Sequence, residues 1–344
     1  MKQLINSLRF YQKNSRILFV FFLCVGLFFG WLVWSYFDIF KTTHIHSLSN
    51  EECQSEYEFI NPEPDCELYA DKIEALSSLE SVLNAYADHA IMSGKAKRLS
   101  IWFRDLKTRR FVGVNENETY RMASLLKVPI AIAYLKYAEV YPEVLTETFT
   151  YDGTLEYLYT KQYIVPQERL EKGREYEARE LLERSIKYSD NVAAFLLYKN
   201  LPEGFVQKTI EGIGSAIPGF ENTNEKILSA RSYATMFRSL FNSSYLTREY
   251  SNYLLQILTT TTYSEGVKAS LPTEVIVAHK FGEQTVESET GTLLFRQLHE
   301  CGIVYADAGD EPYIFCILTE GKDFETLQTI LKDIGRIMYE STVN

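Results

Sequence analysis

Two stretches of strand-like alternation open the chain's folded part, three more close it, and a long block of helical period separates the two groups. LSIWFRDL and RFVGVNE, divided only by Lys107, Thr108 and Arg109, read as an antiparallel pair. After Pro272 come EVIVAHKF, LLFRQLHECGIVYA and EPYIFCILTE. Between the groups, KVPIAIAYLKYAEV, EARELLERSIKY, NVAAFLLYKNL, SARSYATMFRSLF and REYSNYLLQILTT carry apolar residues at helical spacing. A helix from Asp71 to about Met92 precedes the first strands, and FETLQTILKDIGRIMYES follows the last. Strands from both ends must share a sheet to bury their apolar faces. The expected class is therefore α+β: a five-stranded antiparallel sheet flanked by helices, with a helical insertion between its halves.

Upstream, Ile17 to Phe37 runs without a charge and, at about 1.5 Å per residue, is long enough for a hydrocarbon core of about 30 Å. Lys2, Arg9, Lys13 and Arg16 precede it with no acid among them. The positive-inside bias then predicts a cytoplasmic N-terminus over 1–16, a single-pass signal anchor over 17–37, an acidic stalk over 38–70 and an extracytoplasmic domain over 71–344. A cleaved signal peptide is the rival reading, but the apolar run is long for one and no small-x-small site follows Trp34. Beyond the anchor, 31 basic side chains face 46 acidic ones, a formal charge of −15. That balance argues against nucleic acid and against adhesion to an anionic membrane surface.

Cys24 lies within the apolar run; Cys53, Cys66, Cys301 and Cys316 form an even set in a compartment that permits disulfides. Cys53 and Cys66 flank a short acidic loop that they can staple. Cys301 and Cys316 face each other if Asp307 to Asp310 is the turn of a symmetric hairpin; two separate buried thiols are the alternative. No cysteine or histidine spacing resembles a zinc site, His44 and His46 included.

Chemistry enters with MASLLKVP, where Ser124 and Lys127 stand three residues apart at the start of a helix. On one helical face the amine reaches the hydroxyl, and a lysine whose pKa is lowered by burial or a nearby cation can take the serine's proton. The helix N-terminus favours a developing oxyanion. Two further elements stand out: Ser189-Asp190-Asn191, which also reads as a helix N-cap, and His279-Lys280-Phe281-Gly282 at the end of an apolar strand, which also reads as a strand terminus.

In this order, on this pattern of elements, the three motifs resemble the penicillin-recognising serine hydrolases, most closely the class A β-lactamases, over residues 71 to the end. The resemblance implies a β-lactamase/transpeptidase-like fold and an acyl-enzyme mechanism on amide bonds, with no metal or organic cofactor. It makes Ser124 the nucleophile, Lys127 its proton acceptor, Ser189 a proton relay to the leaving nitrogen and Lys280 a source of positive potential that helps to depress Lys127. Asn191 would bind a substrate amide, Gly282 would leave room along the strand edge, and the amides of Ser124 and Glu283 would hold the oxyanion. The implied substrate is a β-lactam or a cell-wall peptide; a D,D-peptidase-like enzyme or a penicillin-binding sensor that stays acylated are the alternatives.

The chain departs from the pattern twice. Phe281 stands where the family has a hydroxyl that meets the antibiotic's carboxylate, and no Glu-x-x-Leu-Asn follows Ser-Asp-Asn to supply a deacylating base, leaving Glu211, Glu221 and Glu225 as candidates. His279 and His299 invite a Ser-His-Asp reading, but no Gly-x-Ser-x-Gly elbow accompanies them. Tyr157, Tyr159 and Tyr163 are candidates for a pocket wall or for core, and Glu289 to Thr292 for a loop at the site's edge.

Overall fold

The sheet is held in register from both ends of the folded region. The computed structural model describes residues 73–160, 162–215, 227–306 and 311–343. The predicted anchor and stalk, Cys24, Cys53, Cys66, the Asp307 to Asp310 turn, Glu221 and Glu225 lie outside them. Among the described residues no helix is long and apolar enough to cross a membrane.

Helix α1 (Ile73–Met92) leads into β1 (Arg98–Asp105), β2 (Phe111–Val114) and the short β3 (Thr119–Arg121). A 3-10 turn, Ala123–Leu126, continues into α2 (Lys127–Ala138). There follow β4 (Thr148–Thr150), β5 (Glu175–Glu177), α3 (Ala178–Lys187), α4 (Asn191–Asn200) and α5 (Phe205–Gly212). Then come β6 (Ile227–Ser229), α6 (Ala230–Phe241), α7 (Arg248–Thr259), β7 (Ile276–Glu287), β8 (Leu293–Ala306), β9 (Glu311–Gly321) and α8 (Phe324–Val343).

The five long-range strands form one antiparallel sheet in the order β2-β1-β9-β8-β7, so the chain's last strands slot in beside its first and β7 is left as an edge. Both faces are covered, which is why β8 and β9 read as almost continuous apolar runs. Ile101, Phe103, Phe315, Ile317, Leu298 and Val304 pack with α1 and α8. Trp102, Ile303, Ile314 and Leu318 pack with the helical insertion. Period-2 alternation in the strands thus sorts each residue to one of two cores.

The insertion's helices start at polar caps. Asp190 accepts from the amides of Val192 and Ala193 at the head of α4, Ser229 from Ser232 at α6, and Thr247 from Tyr250 at α7. The capping reading of Asp190 is therefore correct.

Cys301 and Cys316 occupy directly opposed positions of the β8–β9 hairpin and form a disulfide, with Cα atoms 4.0 Å apart. Lys280 of β7 pairs with Cys301 in the neighbouring register, so the bond lies on the sheet beside that lysine's strand position.

Three features escaped the sequence reading: α5, the two-stranded pairs β3·β6 and β4·β5, and the extension of β7 six residues past Phe281. The short strands carry too few residues for alternation to register, and β7's extension is polar on one side.

Gly302 of β8 lies opposite His279, where an added Cβ would come 2.5 Å from the carbonyl oxygen of Ala278. Gly302→Ala must therefore part β7 from β8. It is expected to destabilise the protein by about 2 kcal/mol or more, read as a lowered midpoint in urea unfolding at unchanged m.

Candidate active site

The 3-10 turn after β3 is entered through a left-handed residue, Ala123, with φ of +46°. This turn sets Ser124 half-buried at its surface, while Lys127 begins α2 with 4% of its surface exposed. In a 3-10 turn residues three apart eclipse one another. Lys127 Nζ accordingly donates to Ser124 Oγ at 2.6 Å.

From the α3–α4 junction comes Ser189, buried and again left-handed, with φ of +55°. A non-glycine residue in this region costs roughly 1–2 kcal/mol and is kept only where its surroundings impose it. Ser189 Oγ receives hydrogen bonds from Lys127 Nζ (3.3 Å) and from Lys280 Nζ (2.9 Å). Asn191, two residues on, offers its Oδ1 to Lys127 (2.7 Å) and donates from Nδ2 to the carbonyl of Leu158 (3.1 Å). One carboxamide N–H is left for a ligand.

Edge strand β7 completes the cluster. Lys280 is wholly buried and also donates to the carbonyl of Phe281 (2.8 Å). At Gly282 an added Cβ would stand 3.0 Å from the Leu125 amide nitrogen and 3.1 Å from the Met122 carbonyl oxygen. The space the glycine opens is thus occupied by the backbone of the Ser124 turn. It draws the strand edge against that turn. Structurally, the sequence-derived set Ser124, Lys127, Ser189, Asn191 and Lys280 forms one hydrogen-bonded cluster, with Gly282 and Glu283 along its border.

Burial is the main cause of the unusual protonation here. It lowers Lys127 to about 7, against the opposing pull of Asp190 and Glu283. It lowers Lys280 well below the ordinary range, with the charge of Lys127 adding to the effect. Lys127 is therefore depressed by desolvation rather than by Lys280. Asp190 is raised by burial, against hydrogen bonds from the amides of Ala193 and Val192 and the hydroxyl of Tyr159.

Several supports were not legible as such. Tyr159, fully inside, ties its hydroxyl to Asp190 (3.0 Å), whereas Tyr157 and Tyr163 are exposed. Gln162 Nε2 donates to the carbonyl of Ser189 (3.0 Å). The side chain of Glu283, expected only for its amide, accepts from the amides of Tyr163 (2.7 Å) and Ile164 (3.3 Å). Burial raises its pKa, against those two bonds and both lysines.

Other candidates fall away. Glu211 is exposed in the last turn of α5, taking a hydrogen bond from Gln207 and none from the cluster. His299 is buried at the carbonyl of Arg121 and the amide of Thr319, and burial lowers it to about 3. His279 is buried 2.7 Å from Glu300, and by strand alternation both lie on the opposite face from Lys280. Phe281 packs on the Tyr263 ring. Glu289 to Thr292 form the β7–β8 turn, closed by Ser288 and Thr292. Among the described residues no group of histidine, cysteine or carboxylate side chains could hold a metal ion.

Solved structures share this architecture. A β-lactamase from Xanthomonas campestris superposes with a TM-score of 0.65 at 18% identity, covering 77% of this chain and 99% of that one. A class A β-lactamase from Mycobacterium abscessus gives 0.64 at 17%, covering 75% and 98%. A mutant of PBP-A, described as an acyl-enzyme complex with penicillin G, gives 0.63 at 19%, covering 77% and 96%. At such identities the likeness is one of fold. No curated protein sequence matches the chain. The sequence model of the Beta-lactamase enzyme family, however, spans residues 79–342, from within α1 to the end of α8, and the chain belongs to that family.

Proposed function

We propose that the protein is a membrane-anchored, extracytoplasmic serine hydrolase that opens amide bonds through an acyl-enzyme on Ser124, with β-lactams as one substrate class. The observation that carries this reading is the 2.6 Å contact between Ser124 Oγ and a buried Lys127 whose pKa lies at about 7. A lysine held near neutrality is free to accept a proton at physiological pH.

In the neutral state of Lys127 the serine hydroxyl donates to its nitrogen, and Oγ attacks the carbonyl carbon as the proton passes across. The oxyanion is received by the amides of Ser124 and Glu283, one at a helix start and the other on an unpaired strand edge. Ser189, bonded to both lysines, hands its proton to the leaving nitrogen and takes one back from the Lys127 ammonium, and the amide bond breaks. The remaining N–H of Asn191 steadies the acyl side chain. Water then releases the acyl group and regenerates Ser124.

The anchor rests on the uncharged run Ile17 to Phe37 and the basic residues before it. A second reading, slow release as in a D,D-peptidase-like or acylated sensor protein, draws on one observation. Among the described residues no carboxylate hydrogen-bonds to Ser124, Lys127 or Asn191.

Two outcomes are expected. Incubation with a fluorescent penicillin adds its mass to the wild type and not to Ser124→Ala; an adduct on both proteins would remove the nucleophile from Ser124, and an adduct on neither would remove penicillins from the substrate class. The time course of ring-opened product then distinguishes turnover from a stable adduct. Secondly, the proton acceptor must be neutral, so the acylation rate rises with pH through about 7, roughly tenfold between pH 6 and pH 8. Lys127→Ala lowers that rate by about 10² to 10⁴. A flat profile in the wild type would remove Lys127 as the base.

A further inference from the structure

The border of the cluster carries a carboxylate that acyl transfer itself does not require. Glu283 follows Lys280 by three positions on β7, and its Oε1 clasps the amides of Tyr163 and Ile164, some 120 residues earlier in the chain. The same segment is tied on the other side of the site by Gln162 to the carbonyl of Ser189, and the Tyr163 ring stacks on Phe324 at 4.3 Å. Residues 162–164 therefore form a strap from the Ser189 corner to the edge strand, fastened there by Glu283. Among the described residues its Oε2 accepts no hydrogen bond.

Charge counting gives this carboxylate a consequence. Around Ser124 stand two amines, Lys127 and Lys280, and two carboxyl groups, Asp190 and Glu283; Glu283 acts on the protonation of both lysines and Asp190 on that of Lys127. With all four ionised the cluster is neutral. Once Lys127 has lost its proton to serve as base, a negative excess remains. Glu283 follows Gly282, which abuts the backbone of the Ser124 turn, and its carboxylate acts on both Lys127 and Lys280. A charge on an acyl donor beside the scissile centre would meet that carboxylate's field in a partly buried setting, where salt screens poorly. The hydroxyl that would greet a substrate carboxylate is also missing, its place taken by Phe281 packed on Tyr263.

We propose that Glu283 is a specificity-determining residue that disfavours acyl donors bearing an anion beside the scissile bond and favours neutral or ammonium-bearing ones. This rests on the acyl-transfer reading above. It names the class of donor: an amide or ester flanked by a basic or uncharged group, such as a peptide stem with a free amine, in preference to a carboxylate-flanked β-lactam.

The test uses the full-length protein and three thioesters sharing one N-acylglycyl group, with mercaptoacetate, mercaptoacetamide or cysteamine as leaving thiol. Glu283→Gln keeps an oxygen able to accept the Tyr163 and Ile164 amides and so removes charge without the clasp; Glu283→Ala removes both. The readout is the ratio of kcat/KM for the cysteamine thioester to that for the mercaptoacetate thioester, in which intrinsic thiol reactivity cancels between variants. Glu283→Gln is expected to lower this ratio about five- to tenfold, and Glu283→Ala by a similar factor. A ratio within twofold of wild type in Glu283→Gln overturns the proposal even if absolute rates change, because a merely structural clasp would not sort donors by charge. If the wild type is acylated at Ser124 by none of the three, acyl transfer itself falls and this inference falls with it.

Discussion

Two lysine side chains meet at one hydroxyl, and much of the surrounding architecture exists to make that meeting tolerable. Lys127 and Lys280 both donate to Ser189 Oγ from buried positions. Two full positive charges so close repel by about 3 kcal/mol at the dielectric of a protein site, before either pays for leaving water. The protein answers with Asp190, capping α4 beneath the pair, with the carbonyl of Phe281 on Lys280, with the carboxamide oxygen of Asn191 on Lys127, and by letting protons go. The last response is the useful one. An amine that sheds its proton near neutrality is a base, so the burial that lowers Lys127 is also the source of its chemistry.

Holding the pair requires three separate pieces of chain to converge: a turn after β3, the α3–α4 junction and an edge strand. Each piece gives something up. Ala123 and Ser189 adopt left-handed backbone without being glycine, and β7 carries glycine at residue 282 so that it can press against the Ser124 turn. Such concessions persist only because a rigid frame imposes them. That frame is the five-stranded sheet with a core on each face, one formed with α1 and α8 and the other with the insertion. The split of the sheet between the two ends of the folded region is therefore more than a topological detail. It lets the insertion carry Ser124 and Ser189 while the returning strands bring Lys280 in from the other side.

The large pieces of this arrangement were readable from the sequence because they obey short-range rules. Strand alternation in LSIWFRDL and PYIFCIL, helical spacing in the insertion and the polar cap at Asp190 each report a local preference that the fold honours. The motif residues were readable because their chemistry is rare in combination. What stayed hidden depends on partners distant in sequence. Nothing in EYLYTKQY says that Tyr159 will bond Asp190 while Tyr163 turns outward onto Phe324. Nothing near Glu283 says that its carboxylate will clasp a segment some 120 residues away. Which of the two causes, burial or a nearby cation, lowers the pKa of Lys127 stayed open too, because degree of burial, unlike charge, cannot be read from residue types.

The two halves of the proposed acyl-enzyme cycle would rest on different parts of this molecule. The proposed acyl formation draws on Ser124, Lys127, Ser189 and Lys280, which are locked into helix starts and an edge strand and joined by hydrogen bonds. In that proposal, acyl release and donor choice would draw on the margins: the segment 162–164, residues 281 and 283 on the strand edge, and whatever carboxylate meets the incoming water. The chain departs from the penicillin-recognising pattern at those margins, with Phe281 where a hydroxyl would stand and a strap latched by Glu283 across the edge. A fold can keep its buried nucleophile and base nearly fixed, since altering them unbalances a charged cluster, and still change what it acts upon through residues whose replacement costs the frame little. Membership of the family would thus constrain the first half of the proposed reaction more tightly than the second.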